Sequence, residues 1–123
     1  MNEMMNEARA DDIFEKLVVW RRAQAISVEV YRLLSDCKDW GFKDQITRST
    51  NSIADNIAEE AERPGTAEFR QFLGYAKGSA GESRAQCYRA QSLNYLSNED
   101  GNRLVTELKE ISKMIHALRN SLK

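Results

Sequence analysis

The stretch from Ile46 to Gln91 constrains this chain most, because it holds two helical patterns joined at Arg63-Pro64-Gly65-Thr66, both lined with small and apolar residues. In the second pattern Phe69, Phe72/Leu73, Ala76, Ala80, Ser83, Cys87, Ala90 and Leu93/Asn94 recur at intervals of three and four, which keeps one stripe along a helix from Thr66 to about Leu96. At about 1.5 Å per residue such a rod is roughly 45 Å long and needs a partner of similar length or two shorter ones. Beside that stripe runs a second one, Gly74, Gly78, Gly81 and Ala85. Each mid-helix glycine costs about 1 kcal/mol against alanine, so the row predicts close approach by another helix. The expected acceptor is the preceding helix, where Ala54, Ala58 and Ala61 repeat the spacing beside Ile46, Ile53 and Ile57.

The remaining segments follow from that pair. From Val18 to about Ser35 the apolar residues cover more than one face of a helix, and a chain with a single core can bury so much circumference only by also meeting another protomer. Trp20 and Tyr31 of this helix, with Tyr75 and Tyr88 of the third, are the expected interface residues of a homo-oligomer. Asp36 to Phe42 reads as a turn in which Gly41 supplies a positive φ, and the second helix is expected from about Lys43 to Glu62. Pro64 ends it and Thr66 opens the third. Ser97 is placed to N-cap the fourth, with Asp100 three residues on and a stripe at Leu104, Leu108, Ile111, Ile115, Leu118 and Leu122. With short connections and no strand signal, the expected fold is all-α, an antiparallel up-down-up-down four-helix bundle over residues 13–123. Residues 1–12, acidic and lacking the apolar run of a signal peptide, are expected to be a mobile tail.

Composition agrees. The chain has 123 residues, about one domain, with 41% hydrophobic and 30% charged residues and a single Pro, the profile of a soluble helical protein. A net charge of -1 gives no global pull toward nucleic acid or an anionic membrane. Cys37 and Cys87 are too few for a disulfide framework, so a reducing, cytoplasmic setting is expected. No run approaches the roughly 18 apolar residues of a membrane span.

Chemistry finds little footing. A bundle di-metal site needs Glu-x-x-His pairs, yet the only histidine is His116 and that motif is absent. Cys87 falls on the core stripe, Cys37 has no histidine nearby in sequence, and the glycines of the third helix lie within a helical period rather than in a phosphate loop. The reading is a non-enzyme without cofactor or metal. Two polar features stand out. Asn56, Glu59, Ser79 and Glu82 flank the stripes of the two central helices and are expected to meet across the seam as a buried hydrogen-bonded set that fixes helix register or, alternatively, as a small-ligand site. Arg63, Arg70, Lys77 and Arg84 recur every seven residues, and with Arg89 they form a basic row able to attract RNA or DNA phosphates.

Gln45, Arg48, Ser52-Ile53-Ala54-Asp55-Asn56-Ile57-Ala58-Glu59, Arg63, Glu68-Phe69, Phe72-Leu73, Ala76, Gly78-Ser79 and Glu82 together resemble the four-helix bundle proteins of the 23S rRNA intervening-sequence family. Leu17-Val18-Val19-Trp20 with Ala23 is similar to that family's first-helix opening, so the resemblance spans about Phe14 to Leu122. Glu60 stands where the family pattern usually has Gly. The resemblance implies a non-enzymatic cytosolic bundle assembling as a homopentamer. In relatives that accompany the reverse transcriptase of diversity-generating retroelements, it implies a basic surface for nucleic acid and polymerase.

Overall fold

A computed structural model of the chain describes the backbone of residues 3–61 and 66–122, and the side chains of residues 18–59 and 67–122. Four helices follow one another, α1 (Glu3–Leu33), α2 (Trp40–Ala61), α3 (Thr66–Ser92) and α4 (Asn98–Asn120). Each consecutive pair packs side by side, α4 closes back on α1, and among the described residues neither α1 and α3 nor α2 and α4 meet. Hydrogen-bonded pairs give the directions: Ser27 with Asn51 and the Ser35 carbonyl with Lys43, Ser49 with Gln86 and Ser52 with Ser79, Lys77 with His116 and Gln91 with Asn102. In every set one number rises as the other falls, so the helices alternate in direction around a four-helix bundle.

The core sits where the sequence stripes converge. Val19, Ile26 and Val30 of α1, Ile46, Ile53 and Ile57 of α2, and Leu104, Leu108, Ile111 and Ile115 of α4 are almost wholly buried. They surround the small buried residues Ala76, Ala80, Ser83, Cys87 and Ala90 of α3. Because those α3 side chains are short, α3 forms the two most extensive interfaces, with α2 and with α4, whereas α1 meets α4 over the least.

The helix ends differ from expectation in instructive ways. The backbone of residues 3–12, set aside above as a tail, continues α1 in helical geometry, and no Gly or Pro interrupts the chain before Gly41. α2 starts at Trp40 rather than Lys43, because Asp39 acts as N-cap and its Oδ1 accepts from the Phe42 N–H at 3.1 Å. Gly41 therefore lies in the first turn of α2, and no glycine among the described residues has a positive φ. That role belongs to Asn94, at φ 62°. Tyr95 N donates to Ala90 O at 2.8 Å and Asn94 N to Gln91 O at 3.1 Å, a Schellman arrangement that ends α3 at Ser92, short of Leu96. Ser97 caps α4 as expected, its side chain accepting from Asp100 N at 3.0 Å.

Candidate functional surfaces

The α2–α3 seam is polar, but with a different membership from the one expected. Ser83 Oγ donates to Ser49 Oγ at 2.9 Å, and Ser49 in turn lies 2.5 Å from Gln86 Oε1. One turn further, Ser79 donates to Ser52 Oγ at 2.9 Å, while Asn56 Nδ2 donates to both the Ser52 carbonyl and its hydroxyl. Asn56 and Ser79 are half-buried members of this ladder, whereas Glu59 and Glu82 lie exposed outside it. The physical reason is solvation: a carboxylate entering this seam would need a cation, and the facing residues are serines, which satisfy one another at no charge cost. Ser49 and Gln86 lie outside the expected set, and Ser83, expected only as a small residue of the α3 stripe, proves to be a polar member of the ladder. Ser83 on the α3 stripe and Ser49 three residues after Ile46 of α2 were the available signal, since small hydroxyls on a core face must find partners across it.

The ladder has the partners of a structural network rather than of a reaction centre. No carboxylate or imidazole touches its hydroxyls among the described residues, so nothing withdraws a proton from them. Cys87 is fully buried and burial pushes its thiol up to about 11, away from the thiolate that reactivity requires. Among the described residues no three His, Cys, Asp or Glu side chains gather as a metal would need, and no helix is long and apolar enough to cross a membrane.

The basic row divides. Arg63 lies outside the described residues. Arg70 donates through Nε at 3.0 Å and through its terminal nitrogen at 2.5 Å to the carbonyl of Leu122, tying α3 to the end of α4. Lys77 Nζ lies 3.0 Å from His116 Nδ1, whose Nε2 is 3.0 Å from the Asn120 amide nitrogen. Arg84 continues this line, because seven residues turn a helix to within about 20° of the start. Arg89, five residues beyond, is rotated by about 140° and sits on another face. Arg119 of α4 packs its guanidinium over Gly74, where an added Cβ would come within 3.5 Å of it.

The glycine stripe is not used as expected. Gly78 and Gly81 face outward, and a Cβ added to either would meet nothing within 4 Å. Ala58 is likewise exposed, so the expected glycine–alanine seam between α2 and α3 does not form, and the serine ladder occupies that interface. The stripe was one position too far around α3: its core-facing neighbours Ala76, Ala80 and Ser83 take the contact instead.

Aromatic residues are also exposed. Trp40 at 68%, Tyr31 at 58%, Tyr75 at 52% and Tyr88 at 48% stand out of the surface, with Lys43 Nζ lying 5.7 Å from the Tyr31 ring centroid and 5.6 Å from that of Trp40. Trp20, expected with them, is half-buried and packs against the core. The α1–α4 flank is different in character. Arg22 makes a two-pronged contact with Glu107, which raises the arginine's already high pKa, and Arg103 pairs with Glu29 and Asp100 around a cleft of about 230 Å³.

These surfaces and this topology define an antiparallel helical bundle with a polar seam inside and exposed aromatic and basic residues outside. Residues 15–117 match the profile of the 23S rRNA-intervening sequence protein family, and the chain belongs to that family. A solved protein of unknown function from the S23 ribosomal protein family of Bacteroides thetaiotaomicron shares the fold, with 22% identity, a TM-score of 0.79, and coverage of 86% of this chain and 98% of that one. No curated protein matches the sequence.

Proposed function

We propose that the protein is a non-enzymatic interaction module that works as a homo-oligomer in the cytoplasm, with the five-fold ring implied by the resemblance as its assembly. The observation that carries this reading is the exposure of Tyr31 and Val28 on α1 together with Tyr75 and Tyr88 on α3. α1 and α3 have no contact among the described residues, and Tyr88, thirteen residues beyond Tyr75, is turned by about 140° from it, so the exposed rings belong to separate flanks rather than to one patch. A surface that is sticky on two unlike flanks favours head-to-tail contacts, which close into rings, over a two-fold dimer. Multi-angle light scattering at micromolar concentration tests it. A mass of several protomers is expected, with Tyr31→Ala and Tyr75→Ala each shifting it toward the monomer, and a monomeric wild type refutes the reading.

A second reading is favoured by a separate observation. No carboxylate among the described residues pairs with Arg70, Lys77, Arg84 or Arg89, whereas Arg22 and Arg103 on the α1–α4 flank are both neutralised. Unpaired cations along one helix suit an accessory protein that holds RNA or DNA. It predicts retardation of nucleic acid in a low-salt gel, lost steeply as salt rises.

A further inference from the structure

We propose that α4 supplies half of a two-helix seat for a phosphate backbone, with Lys109, His116 and Arg119 facing Lys77 and Arg84 of α3. This inference rests on the nucleic-acid reading and assigns its site. The seam has a fixed register: Arg70 meets Leu122, Gly74 meets Arg119, Lys77 meets His116 and Gln91 meets Asn102. One heptad along from the Lys77–His116 pair, the same register sets Arg84 across from Lys109. Lys77 and Arg84 of α3 and Lys109 and Arg119 of α4 therefore bring cations from both helices at successive levels, with His116 hydrogen-bonded among them, and no carboxylate among the described residues pairs with any of the four. Arg70 is not counted among them, since its hydrogen bonds already close the end of α4.

The strip beside these rails is open. Gly81, about 60° or less around α3 from Lys77 and Arg84, carries no side chain, and nothing stands within 4 Å of where one would begin, so a polyanion can approach the α3 backbone closely there. The span from Lys109 to Arg119 is about 15 Å. That length accommodates roughly four phosphates of one strand at about 3.4 Å each. Because the chain's net charge is -1, its bulk charge offers no attraction, and binding must come from local clustering.

Fluorescence anisotropy with a labelled single-stranded RNA, its DNA equivalent and the RNA duplex, with inorganic polyphosphate as competitor, tests the seat. The decisive comparison is Lys109→Glu/Arg119→Glu against Arg21→Glu/Lys38→Glu, an equal change in net charge at exposed residues away from the seam. Expected is a loss of about tenfold or more for the α4 pair, a salt dependence shallower by about two counterions, and little change for the control pair. Circular dichroism and light scattering confirm that fold and assembly are kept. Equal losses in both pairs overturn the seat, leaving only diffuse attraction. Binding that is abolished by Lys77→Glu/Arg84→Glu but indifferent to the α4 pair also overturns it, while sparing the nucleic-acid reading. A wild type that binds no probe at low salt removes both. Displacement by polyphosphate with equal affinity for every strand type supports recognition of phosphate alone, and preference for one strand type supports the seat with that strand as ligand.

Discussion

Asn94 shows how much one backbone dihedral can decide. Its φ of 62° puts an L-residue in the left-handed region, where asparagine is tolerated better than most and alanine is not. Asn94→Ala is expected to cost about 1 kcal/mol in urea denaturation, and Asn94→Gly to be neutral or slightly stabilising. Gly101 poses the opposite constraint, since it is helical and buried, and a Cβ there would run into the Gln91 side chain. Gln91 spends its amide on the Asn98 carbonyl and the Asn102 side chain, so it cannot swing away freely. Gly101→Ala should therefore destabilise by roughly 1 kcal/mol despite its better helix propensity. Placed in a Gln91→Ala background, the same change should turn neutral or stabilising, a non-additivity that a double-mutant cycle reads directly.

Among the elements, the two turns at one end of the bundle are fastened together. Tyr95, just after α3, donates its hydroxyl to Asp39 Oδ2 at 2.7 Å, and its ring packs at 5.3 Å against Phe42 of α2. The Tyr95 hydroxyl first, and then the Phe42 N–H, hold the Asp39 carboxyl below its ordinary value of 3.8, while the same bond raises Tyr95. A lowered carboxyl contributes its stability in full above its ordinary pKa and loses it as pH falls through the folded value. A raised phenol contributes below its ordinary pKa and loses it as pH climbs through the folded one. Tyr95→Phe is thus expected to melt earlier than wild type at neutral pH, and the gap in Tm should narrow as pH drops below 3.8. Within the interior, Ile53→Ala removes a fully buried side chain beside the serine ladder and should cost about 2–5 kcal/mol in the same denaturation assay.

At the scale of the molecule, one outer face of α3 combines exposed Tyr75 with Gly78 and Ala85. In an isolated protomer nothing requires Gly78 to be glycine, and Gly78→Ala should stabilise the fold by up to about 1 kcal/mol. An assembly that seats this face against another copy makes a different demand, because bulk there separates the partners. Gly78→Leu is expected to leave the helical circular dichroism unchanged while lowering the mass measured by light scattering.

Periodicity alone determined that this chain is helical, where its four rods lie and which stripe of each turns inward, because a 3.6-residue repeat of Ile, Leu and Val has only one way to leave water. Capping chemistry at Ser97 was legible for the same reason, being a contact between residues three apart. Contacts between distant residues were not. Whether a residue just off a stripe is buried depends on helix rotation and on what stands opposite, and for α2 and α3 that opposite surface was serine rather than alanine. Tertiary packing therefore turned Gly78, Gly81, Glu59 and Glu82 to the outside, drew Ser49, Ser83 and Gln86 within, and set His116 and Arg119 of α4 beside the cations of α3. Those outcomes rest on distances across the bundle, which a linear pattern of residues does not contain.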